Sequence, residues 1–251
     1  MRLSNVVTEI NRNVAATLKA TGPAILAQEN MLPQTVTVLG TIITRSHPCQ
    51  QDLGDEEDEQ DVEGTSEYDW LIIDTALDVV IGLAISLSVS FGELWKVFEK
   101  PLMKFASSND RTERSTAVGV IAECSAHMGE AVSPYTATLL KLLLHRLSDE
   151  DPETKSNAAY AVGELIYNST DSQAYLPSFN TILSKLEPML QMDHSRIKDN
   201  AAGCVTRMII SNPERVPISE VLPALVDLLP LTEDYEENSP VYECIFKLCK
   251  S

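Results

Sequence analysis

Aromatic residues are scarce in this chain, 6% of 251 positions, and basic residues are heavily outnumbered, 19 Lys and Arg against 37 Asp and Glu. The shortage of large rings argues against one big globular centre. Leu, Ile, Val and Ala carry most of the 44% apolar content, a mix suited to many small helix–helix contacts. The shortage of bases, a formal charge of −18, disfavours nucleic acid and anionic membrane as direct partners, because both would be repelled. It favours a basic protein or a lysine-rich peptide, with plain solubility as the competing explanation.

Other absences narrow the field further. Cys49, Cys124, Cys204, Cys244 and Cys249 are odd in number, form no CxxC pair and mostly fall in apolar runs. They read as free thiols in a reducing compartment, with no disulfide and no zinc. The opening Met-Arg-Leu-Ser-Asn lacks the apolar core of a signal peptide. No GxSxG, GxGxxG or P-loop is present, and His47, His127, His145 and His194 have no ligand-spaced partner. No catalytic residue, metal site or cofactor is therefore expected. The most apolar run, Trp70 to Phe91, carries Asp74 and Asp78, so it reads as a buried helix rather than a membrane span.

What is present is a repeat. Asp110 to Ala117, Asp151 to Ala158 and His194 to Ala201 each hold a polar turn, a basic residue and a small residue that opens an apolar run, with a weaker copy from Asp69. Val80, Ile121, Val162, Val205 and Ile245 take equivalent positions, spaced by 41, 41, 43 and 40 residues. Paired helices repeating every 40 residues or so are the HEAT and armadillo class. The expected fold is all-α: one HEAT-repeat solenoid of stacked antiparallel helix pairs, coiled as a right-handed superhelix and forming a piece of a longer array.

Its approximate repeats are 1–29 (partial), 31–88, 92–129, 134–170, 175–211 and 217–251. First helices are expected at Gly92 to Ser107, Tyr135 to Leu147, Leu176 to Gln191 and Pro217 to Leu231. Pro152 is placed at the first helical position after an Asp cap. Residues 50–67 read as a mobile loop. They include the acidic residues Asp55, Glu56, Glu57, Asp58, Glu59, Asp61 and Glu63, and they hold no basic residue. That loop either steers basic partners electrostatically or serves as a charged spacer. It lacks the Asp-x-Asp-x-Asp-Gly rhythm of a calcium loop.

Second helices line the concave side of a HEAT superhelix, so the stripe opposite each core face is the candidate binding surface. It offers Glu123, then Asn157, Tyr160 and Glu164, then Asn200, and finally the turn containing Glu236 and Glu237. Asn side chains can bond both donors and acceptors of an extended backbone, while carboxylates and a Tyr ring can hold an ammonium. The plainer reading is a set of solvated faces.

The chain resembles the carboxy-terminal part of the importin-β superfamily, in particular its importin-4 type. The residues that carry the likeness are Glu67-Tyr68-Asp69, Arg114 to Glu123, Ser156 to Leu165, Asp199 to Gly203 and Tyr235 to Asn238. The resemblance implies a nuclear import receptor shuttling between cytoplasm and nucleus. Its cargo would be basic proteins such as core histones, through their tails, and ribosomal proteins. It implies Ran as a partner of the full-length receptor but not of this part, with nucleoporins as further partners. It also places lysine binding at Glu123, Tyr160, Asn200, Glu236 and Glu237, with Asn157 and Glu164 beside them. Pro240 departs from the Asn or Thr of the other repeats, which puts peptide contact in doubt there. The alternative is a non-catalytic HEAT scaffold subunit.

Overall fold

A computed structural model of the chain describes residues 3–51 and 62–250, without the side chains of Ile25 and residues 51–68. The described residues are helical with short connections, and they fall into two compact units, Met1–Phe105 and Ala106–Ser251. The architecture is that of a HEAT or armadillo-type solenoid.

The first unit contains α1 (Leu3–Thr21), α2 (Met31–Ile43), the short α3 (Pro48–Gln51), α4 (Val62–Leu87) and α5 (Gly92–Phe105). Helix α4 is the core. Ile72, Ile73, Ala76, Leu77, Val79, Val80, Leu83 and Ala84 are all buried as it packs on α1 and α2. This explains the long apolar run, which by length and composition alone could cross a membrane. Within it, Thr75 receives a hydrogen bond from Asn11 Nδ2 at 3.2 Å. The Asp74 carboxyl sits above its ordinary pKa because of burial and the charge of Asp78, partly offset by Arg12. Arg45 and Gln50 donate to Asp69 at 2.7 and 2.8 Å, tying the end of α2 and the short α3 to α4.

The second unit holds α6 (Arg111–Met128), α7 (Thr136–Arg146), α8 (Pro152–Asn168), α9 (Ser172–Tyr175), α10 (Phe179–Leu190), α11 (Ser195–Ser211), α12 (Ile218–Asp227) and α13 (Asn238–Leu248). Helices α6, α8 and α11 lie side by side, with α13 against α11, while α7 packs on α8 and α10 on α11. The polar turns of the repeat are N-caps. Asp110 accepts from the N–H groups of Thr112 and Glu113 at 2.8 and 2.9 Å, and Asp151 from Thr154 at 2.8 Å. His194 Nδ1 takes the corresponding role from Ile197 at 3.4 Å. Each satisfies amides that a helix start leaves without partners. The turn between α7 and α8 is clamped by Asp149, which receives Arg114 at 2.9 and 3.0 Å and Arg146 at 2.6 Å.

Three boundaries differ from the sequence expectation by more than two residues. Helix α4 spans Val62–Leu87, so residues 62–67 are helical rather than loop. The helix expected from Leu176 begins at Phe179, behind a 3-10 turn over Leu176–Ser178. Helix α12 stops at Asp227 instead of reaching Leu231, because Pro230 disfavours the helical conformation of the residue before it.

Candidate functional site

Helix α8 occupies the middle of a layer, with α6 on one side and α11 on the other. Its side chains therefore face core, two lateral neighbours, or solvent, and only a narrow strip remains for binding. The two asparagines belong to the lateral contacts. Asn157 Nδ2 donates to Ser115 O at 3.0 Å, and Asn200 Nδ2 to Ser156 Oγ at 2.9 Å. Ser156 Oγ in turn donates to Arg196 O at 3.2 Å, so the asparagines join one repeat to the next. Asn157 keeps partial exposure, whereas Asn200 is 1% exposed.

The carboxylates divide in the same way. Glu123 and Glu236 reach solvent, and Glu123 lies 3.8 Å from His127. Glu164 is 7% exposed and Glu237 only 2%, and both are held by Arg207. Arg207 Nη2 lies 2.5 Å from Glu164 Oε1 and 3.0 Å from Glu237 Oε1, and Nη1 meets Glu237 Oε2. Its guanidinium also stands over the Tyr160 ring, 5.6 Å from the centroid. Asn168 Nδ2 completes the shell of Glu164 at 2.9 Å.

Glu237 can approach this closely because residue 203 is glycine. A Cβ there would overlap Glu237 Oε2 and come within 2.9 Å of Arg207 Nη1. The turn carrying Glu236 and Glu237 is anchored by Asp199, whose Oδ2 accepts from the N–H groups of Thr232, Glu233 and Asp234 at 3.1, 2.8 and 3.0 Å. Asn238 adds a return pair to Leu231 at 3.1 and 3.2 Å.

The electrostatics follow from this packing. Burial opposes charge on Arg207, but its hydrogen bonds to Glu237 and the charges of Glu164 and Glu237 reverse that effect and raise its pKa. Burial raises Glu237 more than Arg207 lowers it, with Glu164 and Asp234 adding repulsion. Burial also raises the Tyr160 hydroxyl, reinforced by Glu123 and Glu164. His127 falls below its ordinary pKa through burial, opposed by Glu164 and Glu236. The stripe is thus a half-buried Tyr ring among four carboxylates and one internal guanidinium.

Arg207 and Asp199 escaped the sequence reading as site residues. The signal for Arg207 was available in the repeat register. It falls two residues after Val205, where Glu123 and Glu164 fall after Ile121 and Val162. Asp55, Glu56, Glu57, Asp58, Glu59 and Asp61 of the acidic loop lie outside the described residues, and Glu63 is placed in the first turn of α4 without a described side chain. Among the described residues, no group of three or more His, Cys, Asp or Glu could hold a metal ion.

Comparison with known proteins places this architecture. Residues 75–201 match the family of IPO5-like TPR repeats. A probable importin subunit beta-4 of Schizosaccharomyces pombe is 40% identical over 186 residues, covering 73% of this chain and 17% of that protein. Importin-4 of Homo sapiens is 31% identical over 241 residues, covering 94% of this chain and 22% of that protein. The chain therefore spans about a fifth of the length of these curated relatives. Among solved structures, the karyopherin Kap121p bound to the SUMO protease Ulp1p superposes with a TM-score of 0.72 at 13% identity, over 98% of this chain and 23% of that one. With the repeat register, the all-helical fold and these relatives in agreement, the chain belongs to the importin-β family, as a stretch of the importin-4 type.

Proposed function

We propose that this chain is a non-catalytic, cargo-recognising part of a nuclear import receptor, and that it holds lysine-rich segments of basic proteins on the acidic stripe of the second unit. Histone tails and ribosomal proteins are the expected cargo class, and the receptor would shuttle between cytoplasm and nucleus. The observation that carries this reading is Tyr160, half-buried, with the solvent-reaching carboxylate of Glu123 near it and Glu164 and Glu237, held by Arg207, beneath. An ammonium is attracted to both the ring and the carboxylates. Glu123 and Glu236 make the outer contacts, and Asn157 adds an amide at the edge. Glu164, Glu237 and Asn200 support the stripe from beneath. A formal charge of −18 would draw basic cargo toward it at long range.

A fluorescent lysine-rich peptide titrated at low and physiological salt tests the reading. Binding should weaken steeply with salt and fall about tenfold in Tyr160→Ala and in Glu123→Gln/Glu236→Gln. Unchanged affinity in both variants would remove the stripe as the cargo site. One observation favours a second reading, a scaffold. Leu183, Leu186, Leu190, Val221 and Ala224 line a groove of about 420 Å³ between α10 and α12, together with Glu187 and Glu220. Apolar contacts made there would resist salt.

A further inference from the structure

The stripe changes sign along the repeat. The position two residues beyond the shared core residue is Glu123 on α6, Glu164 on α8, Arg207 on α11 and Lys247 on α13. Arg207 is buried in this ladder together with Glu164, its side chain 9% exposed, and its surroundings have the composition of a ligand site. Glu164 and Glu237 grip the guanidinium from two sides, Tyr160 offers its ring, and Gly203 leaves room for the carboxylate. Recognition of an arginine by an acidic partner uses the same three elements: a bidentate carboxylate, a second counter-charge and an aromatic face. Here the arginine comes from the chain itself.

We propose that Arg207 is a built-in occupant of the strongest cation seat in the stripe, and that by filling it Arg207 sets which cations of an incoming peptide can be held. This rests on the cargo reading above and deepens it. With Glu164 and Glu237 both held by Arg207, that seat is closed to an outside ligand. The stripe then holds outside cations against the exposed side of Tyr160 and not between Glu164 and Glu237. Removing the guanidinium would expose a second seat, with two uncompensated carboxylates and a ring face. That seat should accept an outside guanidinium.

The experiment uses the full chain as wild type, Arg207→Ala, and Glu164→Gln/Arg207→Met/Glu237→Gln, which makes the triad neutral. Glu164→Gln/Arg207→Ala, with only Glu237 left unpaired, serves if the single variant does not fold. Methylguanidinium at about 20 mM, against potassium chloride of equal ionic strength, should raise the melting temperature of the alanine variant while leaving wild type and the neutral triad unmoved. A peptide of paired arginines should bind the alanine variant about tenfold more tightly than wild type. The neutral triad should show no such gain, because it leaves no carboxylate uncompensated. Equal responses of wild type and the alanine variant to methylguanidinium would overturn the seat. Rescue without a gain in peptide affinity would overturn its role in selecting cargo. Failure of wild type to bind any lysine-rich peptide would instead sink the cargo reading, and the methylguanidinium result would still decide whether Arg207 fills a cation seat.

Discussion

Replacing Gly203 by Ala changes no charge and touches no solvent-facing group, yet it should damage the second unit. The substitution sets two effects against each other. Ala in place of Gly within a helix is worth about 1 kcal/mol of stabilisation through backbone entropy. Against that, the new Cβ would overlap Glu237 Oε2 and crowd Arg207 Nη1, forcing Glu237 out of its buried position. Severing a buried ion pair costs about 3–5 kcal/mol, and the lower end applies because Arg207 keeps Glu164. The net loss is about 2 kcal/mol, a fall in melting temperature of roughly 4–8 °C for a chain of this size. Thermal unfolding by circular dichroism reads it directly. Gly163→Ala is the companion case: its Cβ would lie 2.9 Å from the backbone Cα of Cys204, so α8 and α11 would have to separate. A Gly203→Ala protein as stable as wild type, or more so, would mean that helix propensity wins and that Glu237 is not held as described.

The remaining predictions concern the clamp, the anchored turn and the thiols. Burial would raise the Asp149 carboxyl, but hydrogen bonds from Arg114, the Asp151 N–H and Arg146 outweigh it and hold the pKa below the ordinary 3.8. A depressed carboxylate stabilises above its unfolded pKa and loses that contribution as pH falls through the folded value. Asp149→Asn should therefore cost about 3 kcal/mol at pH 7, measured by urea unfolding, and the gap to wild type should begin to narrow only below about pH 4, as the carboxylate takes up its proton. Asp199→Ala removes the acceptor for three amides of the 232–234 turn. Local opening there should become easier by about 2 kcal/mol, seen as faster hydrogen exchange in that turn but not in α6 or α8. Cys49, Cys124, Cys204 and Cys244 are buried, and burial pushes Cys244 up to about 11, while Cys249 is exposed. Native alkylation should modify Cys249 first, with the other four reacting only on unfolding, as mass spectrometry would show.

Much of the fold was legible because repeats report on themselves. The caps at Asp110 and Asp151 and the core line through Ile121, Val162 and Val205 recur in register, and no tertiary knowledge is needed to see them. The candidate site was less legible for a definite reason. Helical periodicity divides a helix into a core face and a solvent face, which holds for a helix packed on one side. Helix α8 is packed on three. Glu164 and Asn200 thus look outward in sequence but are covered by the adjoining repeat, and Asn157 bonds sideways to Ser115. Arg207 draws no notice in a search for acidic positions, although a base at a place where earlier repeats put Glu123 and Glu164 marks a charge reversal between neighbours. The length of α12 was overestimated for a local reason, Pro230, that the apolar pattern alone does not weigh.

The most direct test of cargo binding on the acidic stripe is an exchange of charge between protein and peptide. Affinities would be measured for wild type and for Glu123→Lys/Glu236→Lys, each against a lysine-rich peptide and against the same peptide with every lysine replaced by glutamate. Cargo held at the stripe requires the preferences to cross: wild type selects the lysine peptide, and the reversed protein loses it by at least about tenfold while gaining the glutamate peptide. If the lysine peptide binds both proteins equally, its cations are held elsewhere, and the stripe is a solvated face.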